Sequence, residues 1–130
     1  MNAHKAIYAR LSGFAGLTAL VGTRIAPDVI PSPAAWPAVT FHVIHTSTEK
    51  VSTSDPDLVM SLVQVDSFDK TRLGARTVAA QVMLALDRWR QTTAGGVTVD
   101  DCIFQTDMDA FEPQSQVYQV SADFRLNYRE

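Results

Sequence analysis

One cysteine, Cys102, stands among the 130 residues, so no disulfide can form within the chain and the fold must rest on its own core, as in a reducing compartment. Positive charge is also scarce. Lys and Arg total 11 against 14 Asp and Glu, a net charge of −3, and the basic residues are scattered, which withholds the electrostatic footprint of a nucleic-acid-binding face. No apolar run reaches the roughly 18 residues that a bilayer span requires. Lys5 and Arg10 ahead of Leu11 to Val21 imitate a secretory signal, but Ser12, Gly13, Gly16 and Thr18 dilute the run and no small-residue cleavage site comes after it. The expectation is a soluble protein of the cytoplasm with no nucleic-acid or membrane partner.

Arrangements that carry chemistry are equally sparse. There is no glycine-rich phosphate loop, zincin helix or nucleophile elbow; Gly95 and Gly96 form an isolated pair that reads as a helix stop. His42 and His45 lie three apart on an expected strand, which sends them to opposite faces and keeps them from sharing a metal. Cys102 has no second cysteine or placed histidine and reads as a small buried hydrophobe. Asp107 and Asp109 share a face, but no third ligand completes an oxygen-rich cation site. No catalytic residue, cofactor or metal is expected, and the chain does not read as an enzyme.

What is present is the composition of one ordinary globular domain over residues 1–130, with 46% hydrophobic and 19% charged residues. Ala3, Ile7, Leu11 and Phe14 recur at helical spacing from near Asn2; Ser12 could cap a second short helix carrying Leu17, Leu20 and Val21, which Gly22 stops. A brief extended piece over Thr23 to Ala26 leads into Pro27, Pro31, Pro33 and Pro37, which favour an extended arm. Ala38 to Thr46 alternates as a strand, Ser47 to Asp57 is a polar loop, and Leu58 to Phe68 is a second strand, apolar on both parities in its first half as if covered twice or touching a partner.

With Asp69 as N-cap, Lys70 to Arg90 forms the main helix, about 30 Å long, with Ala75, Val78, Ala79, Val82, Leu86 and Trp89 on its core stripe. Val97 to Met108 is a strand with Cys102, Phe104, Thr106 and Met108 on one face, Asp109 to Ser115 a turn, and Val117 to Tyr128 the most regular strand of all. The elements predict an α+β fold, an antiparallel or mixed sheet of four to five strands with two helices packed on one face.

Leu20, Val21, Gly22, Thr23, Arg24 and Ile25, then Pro37, Val39 and Phe41 opening a strand, and Val63, Gln64, Val65, Asp66 and Phe68 running into a helix occur in an order and spacing that resembles the bacteriophage tail-completion, or tail-terminator, family. The likeness extends over nearly the whole chain. It implies a structural virion protein without enzyme activity or cofactor that forms a ring, typically a hexamer, at the head-proximal end of the tail. Such a ring stops tail-tube polymerisation and offers the head-joining surface, so the implied partners are further copies of the chain, the tail-tube protein and a head-completion or connector protein. Neck and head-closure proteins of similar fold, or a soluble adaptor domain, are the alternatives.

A ring subunit needs surfaces for its neighbours. On the main helix Leu73, Ala80 and Leu84 project opposite the core stripe, with Arg76, Thr77, Gln81, Asp87 and Arg88 around them, an apolar centre with a polar rim. Arg24 and Trp36, on and after the Leu-Val-Gly-x-Arg-Ile segment, are further interface candidates, although Trp36 could fold back on its own sheet. Asp100, Asp101, Asp107, Asp109 and Glu112 crowd acidic charge near one strand; they are either a solvated edge or the lining of a channel that keeps DNA from adhering.

Overall fold

The computed structural model describes residues 2–31, 35–49, 58–90, 92–94 and 96–129. Helix α1 (Ala3–Ser12) buries Ala3, Ile7 and Leu11 of the expected stripe, together with Ala6, while Phe14 lies beyond the helix end. Ser12 does not cap the second helix: its hydroxyl donates back to the Tyr8 carbonyl at 2.6 Å, and Phe14, in extended backbone, takes the N-cap of α2 (Ala15–Val21). Gly22 ends α2 at φ 59°, a left-handed position that glycine alone occupies without strain.

Six strands succeed one another along the chain as β1 (Ile25–Pro27), β2 (Ala38–Glu49), β3 (Leu58–Asp69), then, after helix α3 (Arg72–Leu86), β4 (Thr92–Ala94), β5 (Val97–Glu112) and β6 (Val117–Arg129). Among the described residues they form one mixed sheet in the order β1-β2-β3-β6-β5-β4, in which β1 and β2 are parallel and the other neighbours antiparallel. The fold is α+β as expected, but the described residues form six strands and three helices in place of four to five and two. The two short strands are three residues each; β1 falls on the brief extended piece expected over Thr23 to Ala26, whereas β4 is too short to show any period. Pro33 of the expected arm and most of the polar loop, 50–57, lie outside the described residues.

The core occupies one face of the sheet. Val39 and Phe41 of β2, Val59, Val63 and Val65 of β3, Phe124, Leu126 and Tyr128 of β6 and Val99 and Cys102 of β5 pack in one cluster with Ile7, Leu11, Leu17, Val21, Val78, Val82 and Leu86 of the three helices. Each such aliphatic or aromatic side chain removed from water contributes about 1.5–3 kcal/mol. Within this face the Tyr128 hydroxyl lies 3.1 Å from Ser61 Oγ, which lies 2.9 Å from Thr46 Oγ1, a chain of hydroxyls across three neighbouring strands.

Helix α3 is shorter than the Lys70 to Arg90 predicted, about 22 Å for 15 residues at 1.5 Å each. Thr71, not Asp69, caps it, accepting from Gly74 N at 3.0 Å; Asp69 closes β3 and accepts from Lys70 N at 2.7 Å. The helix stops before Gly95 and Gly96 because Asp87 turns extended and Arg88 takes φ 64°. Trp89 reaches the core from the turn after the helix, not from the helix stripe.

Bulges correct two further readings. Pairing shifts at Ile44, so His42 aligns with Gln64 and His45 with Leu62, which places both histidines on the same face of the sheet and not on opposite ones. Pairing also shifts between Phe104 and Thr106, so Thr106 and Met108 leave the face that holds Cys102 and Phe104. An inserted residue resets the period of two and leaves no mark in composition. β2 runs on to Glu49 and β5 to Glu112, past the loop and turn expected from Ser47 and Asp109, and Pro113 sits in the remaining turn.

Candidate functional site

With the helices on one face, the outer side of α3, the opposite face of the sheet and the sheet's two edges are surfaces of the described residues. On α3, Ala75, Val78, Val82, Ala85 and Leu86 are buried, and at 100° per residue Leu73, Ala80 and Leu84 project from the opposite side. Leu73 is 78% exposed and Leu84 65%, with Ala80 exposed between them. This apolar strip faces outward as the sequence spacing predicts, and solvated leucines of this size contribute nothing to the monomer's own core.

The second half of β5 forms an exposed edge of the sheet. From Gln105 to Gln116 every residue is exposed, Met108 at 68%, although the facing stretch of β6 is buried at Val117, Val120 and Ala122. This edge arm is also held by Arg76 of α3, whose guanidinium donates to Asp107 Oδ2 at 3.0 Å and also to Asp109. The hydrogen bond to Asp107, with that to Asp109 and the charge of both carboxylates, raises the Arg76 pKa against the opposing pull of desolvation. Ring contacts reinforce the clasp: Phe111 lies 4.7 Å from Tyr118, and the Arg72 guanidinium sits 5.6 Å from the Tyr118 ring centre.

The five acidic candidates do not share one surface. Asp107 and Asp109 point to the helix side, where Arg76 holds both; Asp100 accepts from Arg129 Nε at 3.2 Å; Asp101 accepts from Asn127 Nδ2 at 2.6 Å; Glu112 accepts from Gln114 N in the hairpin turn. The guanidinium of Arg76 stands where a cation was considered for Asp107 and Asp109. Among the described residues no group of three His, Cys, Asp or Glu is placed to hold a metal.

Arg24 and Trp36 are both engaged within the subunit. Arg24 Nε donates to the Pro37 carbonyl at 2.7 Å and ties the end of α2 to the start of β2. Trp36, half-buried and joined to Pro37 by a cis peptide bond, lies 5.8 Å from the Phe68 ring, folded back on its own sheet. Cys102 is buried; desolvation first, then Asp87 and Asp101, push its thiol up to about 12 against the opposing pull of Arg10, which makes it an inert core residue.

The bare face holds a polar centre that the sequence pattern did not reveal. Register aligns His42, Gln64 and Asp123 across β2, β3 and β6, with Thr40, Asp66 and Ser121 in a neighbouring row. Gln64 Nε2 donates to Asp66 Oδ1 at 2.8 Å. The Asp123 carboxyl is raised by burial first and by the Asp66 charge second, with His42 acting the other way. Only alternation read jointly over three strands could have found this cluster. Met60 and Leu62 flank it half-buried, so the first half of β3 is apolar on both parities because its second face is merely half-exposed, not covered by a helix.

The edges are partly closed. β1 covers β2 at Val39 to Phe41, and Asp28 N donates to the Phe41 carbonyl at 3.0 Å. On the far side β4 covers Val97 to Val99, the Arg88 amide donates to the Cys102 carbonyl at 2.7 Å, and the Asp87 carboxylate accepts from the Phe104 amide at 3.0 Å. Beyond these covers, His42 to Glu49 of β2 and Gln105 to Glu112 of β5 have no outer neighbour among the described residues.

No curated protein matches the chain in sequence. Among solved structures, a chain described as "Virion of native gene transfer agent (GTA) particle" is similar in fold, with a TM-score of 0.75 at 20% identity, covering 96% of this chain and 92% of that one. The family model described as "Tail completion protein gp17" matches residues 5–129, and the chain therefore belongs to the tail completion protein gp17 family.

Proposed function

We propose that this structural tail protein forms a closed ring, a hexamer by the resemblance of its sequence, at the head-proximal end of a phage tail. There it ends growth of the tail tube and provides the surface to which the head joins. Family membership across residues 5–129 carries the tail role. The self-association is supported by the outward strip of Leu73, Ala80 and Leu84, a patch that a lone subunit leaves in water. A head-to-tail contact repeated about an axis closes into a ring, whereas a self-complementary patch stops at a dimer. The ring neighbours are further copies of the chain, the tail-tube protein below and a head-completion or connector protein above. It acts in the virion after assembly in the host cytoplasm, and its work is binding and not catalysis.

Electron microscopy of the purified protein, alone and with tail-tube subunits, tests this reading. Rings at one end of tubes of uniform length are expected. Tubes that grow without limit in its presence, with the protein still monomeric, would overturn it. Tails of normal length that fail to join heads when the protein is absent would favour a neck role instead.

A further inference from the structure

The two open edge segments fit one another. Resting on the proposed ring, we infer that neighbouring copies join edge to edge, the arm of one subunit (Gln105–Glu112 of β5) adding to the free edge of β2 (His42–Glu49) in the next, so that the sheets run on from subunit to subunit. Both segments are eight residues long, and each presents backbone donors and acceptors that no described residue satisfies.

Strand direction makes the match. Along β2-β3-β6-β5 every neighbour is antiparallel, so β2 and β5 run in opposite directions. When a second copy is placed beside the first with its helices on the same side, β5 meets the neighbouring β2 antiparallel and the alternation continues unbroken. Four main strands per subunit therefore repeat without a mismatch, and closing the circle abolishes both edges. All helices then lie on one side of the joined sheets, and Gln64, Asp123 and Arg125 lie on the other.

Charge favours this pairing over an arm-to-arm dimer. Gln105 to Glu112 contains Asp107, Asp109 and Glu112 and no basic residue, so two arms side by side would oppose carboxylates. His42 to Glu49 offers two histidines, three hydroxyl residues and a single acid. With β1 on one edge and β4, Asp87 and Arg88 on the other, only these two stretches stay open among the described residues of β2 and β5. The stretches lie toward opposite ends of the strands: β2 at His42 to Glu49 stands over β3 at Leu58 to Gln64, while the arm stands over β6 at Val117 to Asp123. Joined sheets are consequently staggered, which tilts the strands against the ring axis as a closed barrel requires.

Disulfide trapping tests the contact, because the buried Cys102 stays out of the reaction. Two double variants place thiols on matching faces, Ser47→Cys with Ala110→Cys on the bare face and Thr48→Cys with Phe111→Cys on the helix side. Oxidation of rings assembled at tube ends should give a ladder of covalent multimers from at least one pair, and none from the single variants. Rings visible by microscopy whose double variants all stay monomeric on a denaturing gel would overturn the edge pairing and leave the ring standing, as would cross-links to the tube protein alone. Absence of any ring at tube ends would overturn the ring and the pairing with it. As a second measurement, Asp109→Pro, which removes an outward-facing donor of the arm while Asp107 keeps Arg76, should lower the assembled fraction at least tenfold with a thermal midpoint close to that of the parent; unimpaired assembly would count against the arm.

Discussion

The two halves of the β5–β6 hairpin are one continuous pair of strands under two sets of forces. From Val97 to Phe104 and from Phe124 to Tyr128 the hairpin is part of the core, with Cys102, Phe124, Leu126 and Tyr128 fully enclosed. From Gln105 to Gln116 every side chain is in water, and the ladder to β6, two exposed ion pairs of Arg76 and two ring contacts hold the arm. The near half is stabilised by burial on both strands; in the far half only β6 is buried, and β5 is held by its ladder to β6 and by contacts to α3.

That contrast can be broken or sharpened by substitution. The largest effect belongs to Phe124→Ala in the near half, which leaves a cavity beside Phe104 and should cost about 3–5 kcal/mol in a urea titration. A loss under about 1 kcal/mol would mean that the near half is not core. Next, Tyr128→Phe removes the hydroxyl bonded to Ser61 and should cost about 1 kcal/mol, more if Ser61 is left unsatisfied. Arg76→Ala should cost at most about 1 kcal/mol because its partners are exposed, yet amide exchange across Gln105 to Gln116 should quicken while the core amides hold. Equal exchange in the arm before and after would show that Arg76 does not anchor it. Leu73→Glu with Leu84→Glu should leave unfolding within about 0.5 kcal/mol of the parent and reduce ring assembly.

The smallest effect is a pH dependence. Asp123 has a raised carboxyl pKa, so the folded state disfavours its charged form, and stability is lost as pH rises from the ordinary carboxylate range through the raised value. Asp123→Asn should therefore melt slightly higher than the parent at about pH 7 and lose that advantage near about pH 3. A gain that persists in acid would assign the effect to something other than charge.

Legibility in the sequence divided along the same line. The buried stripes of α1 and α3 and the alternation of β6 could be read directly, because burial imposes a period, and Leu73, Ala80 and Leu84 were placed outward by subtraction from the α3 stripe. The bulges at Ile44 and next to Phe104 could not, since an inserted residue changes facing without changing composition, and this misplaced His45, Thr106 and Met108. Helix ends failed at Asp87 and Arg88, whose backbone is turned by bonds to Cys102 and Phe104 of β5, a tertiary cause that a local window misses. The row of His42, Gln64 and Asp123 belongs to three strands at once and needs the register first.

The hydroxyl chain of Thr46, Ser61 and Tyr128 has a mechanical consequence. Long strands of valine, threonine and serine can slide past one another with little change in apolar contact, and a slip of two residues even preserves facing. Such a slip here would separate the buried Tyr128 phenol from the buried Ser61 alcohol, a penalty of about 1–3 kcal/mol for each unmet buried group, and would part Ser61 from the half-buried Thr46. The three oxygens thus act as an indexing pin between the first, second and last long strands, and by fixing where β6 stops sliding they set which residues of β5 stand at the sheet edge.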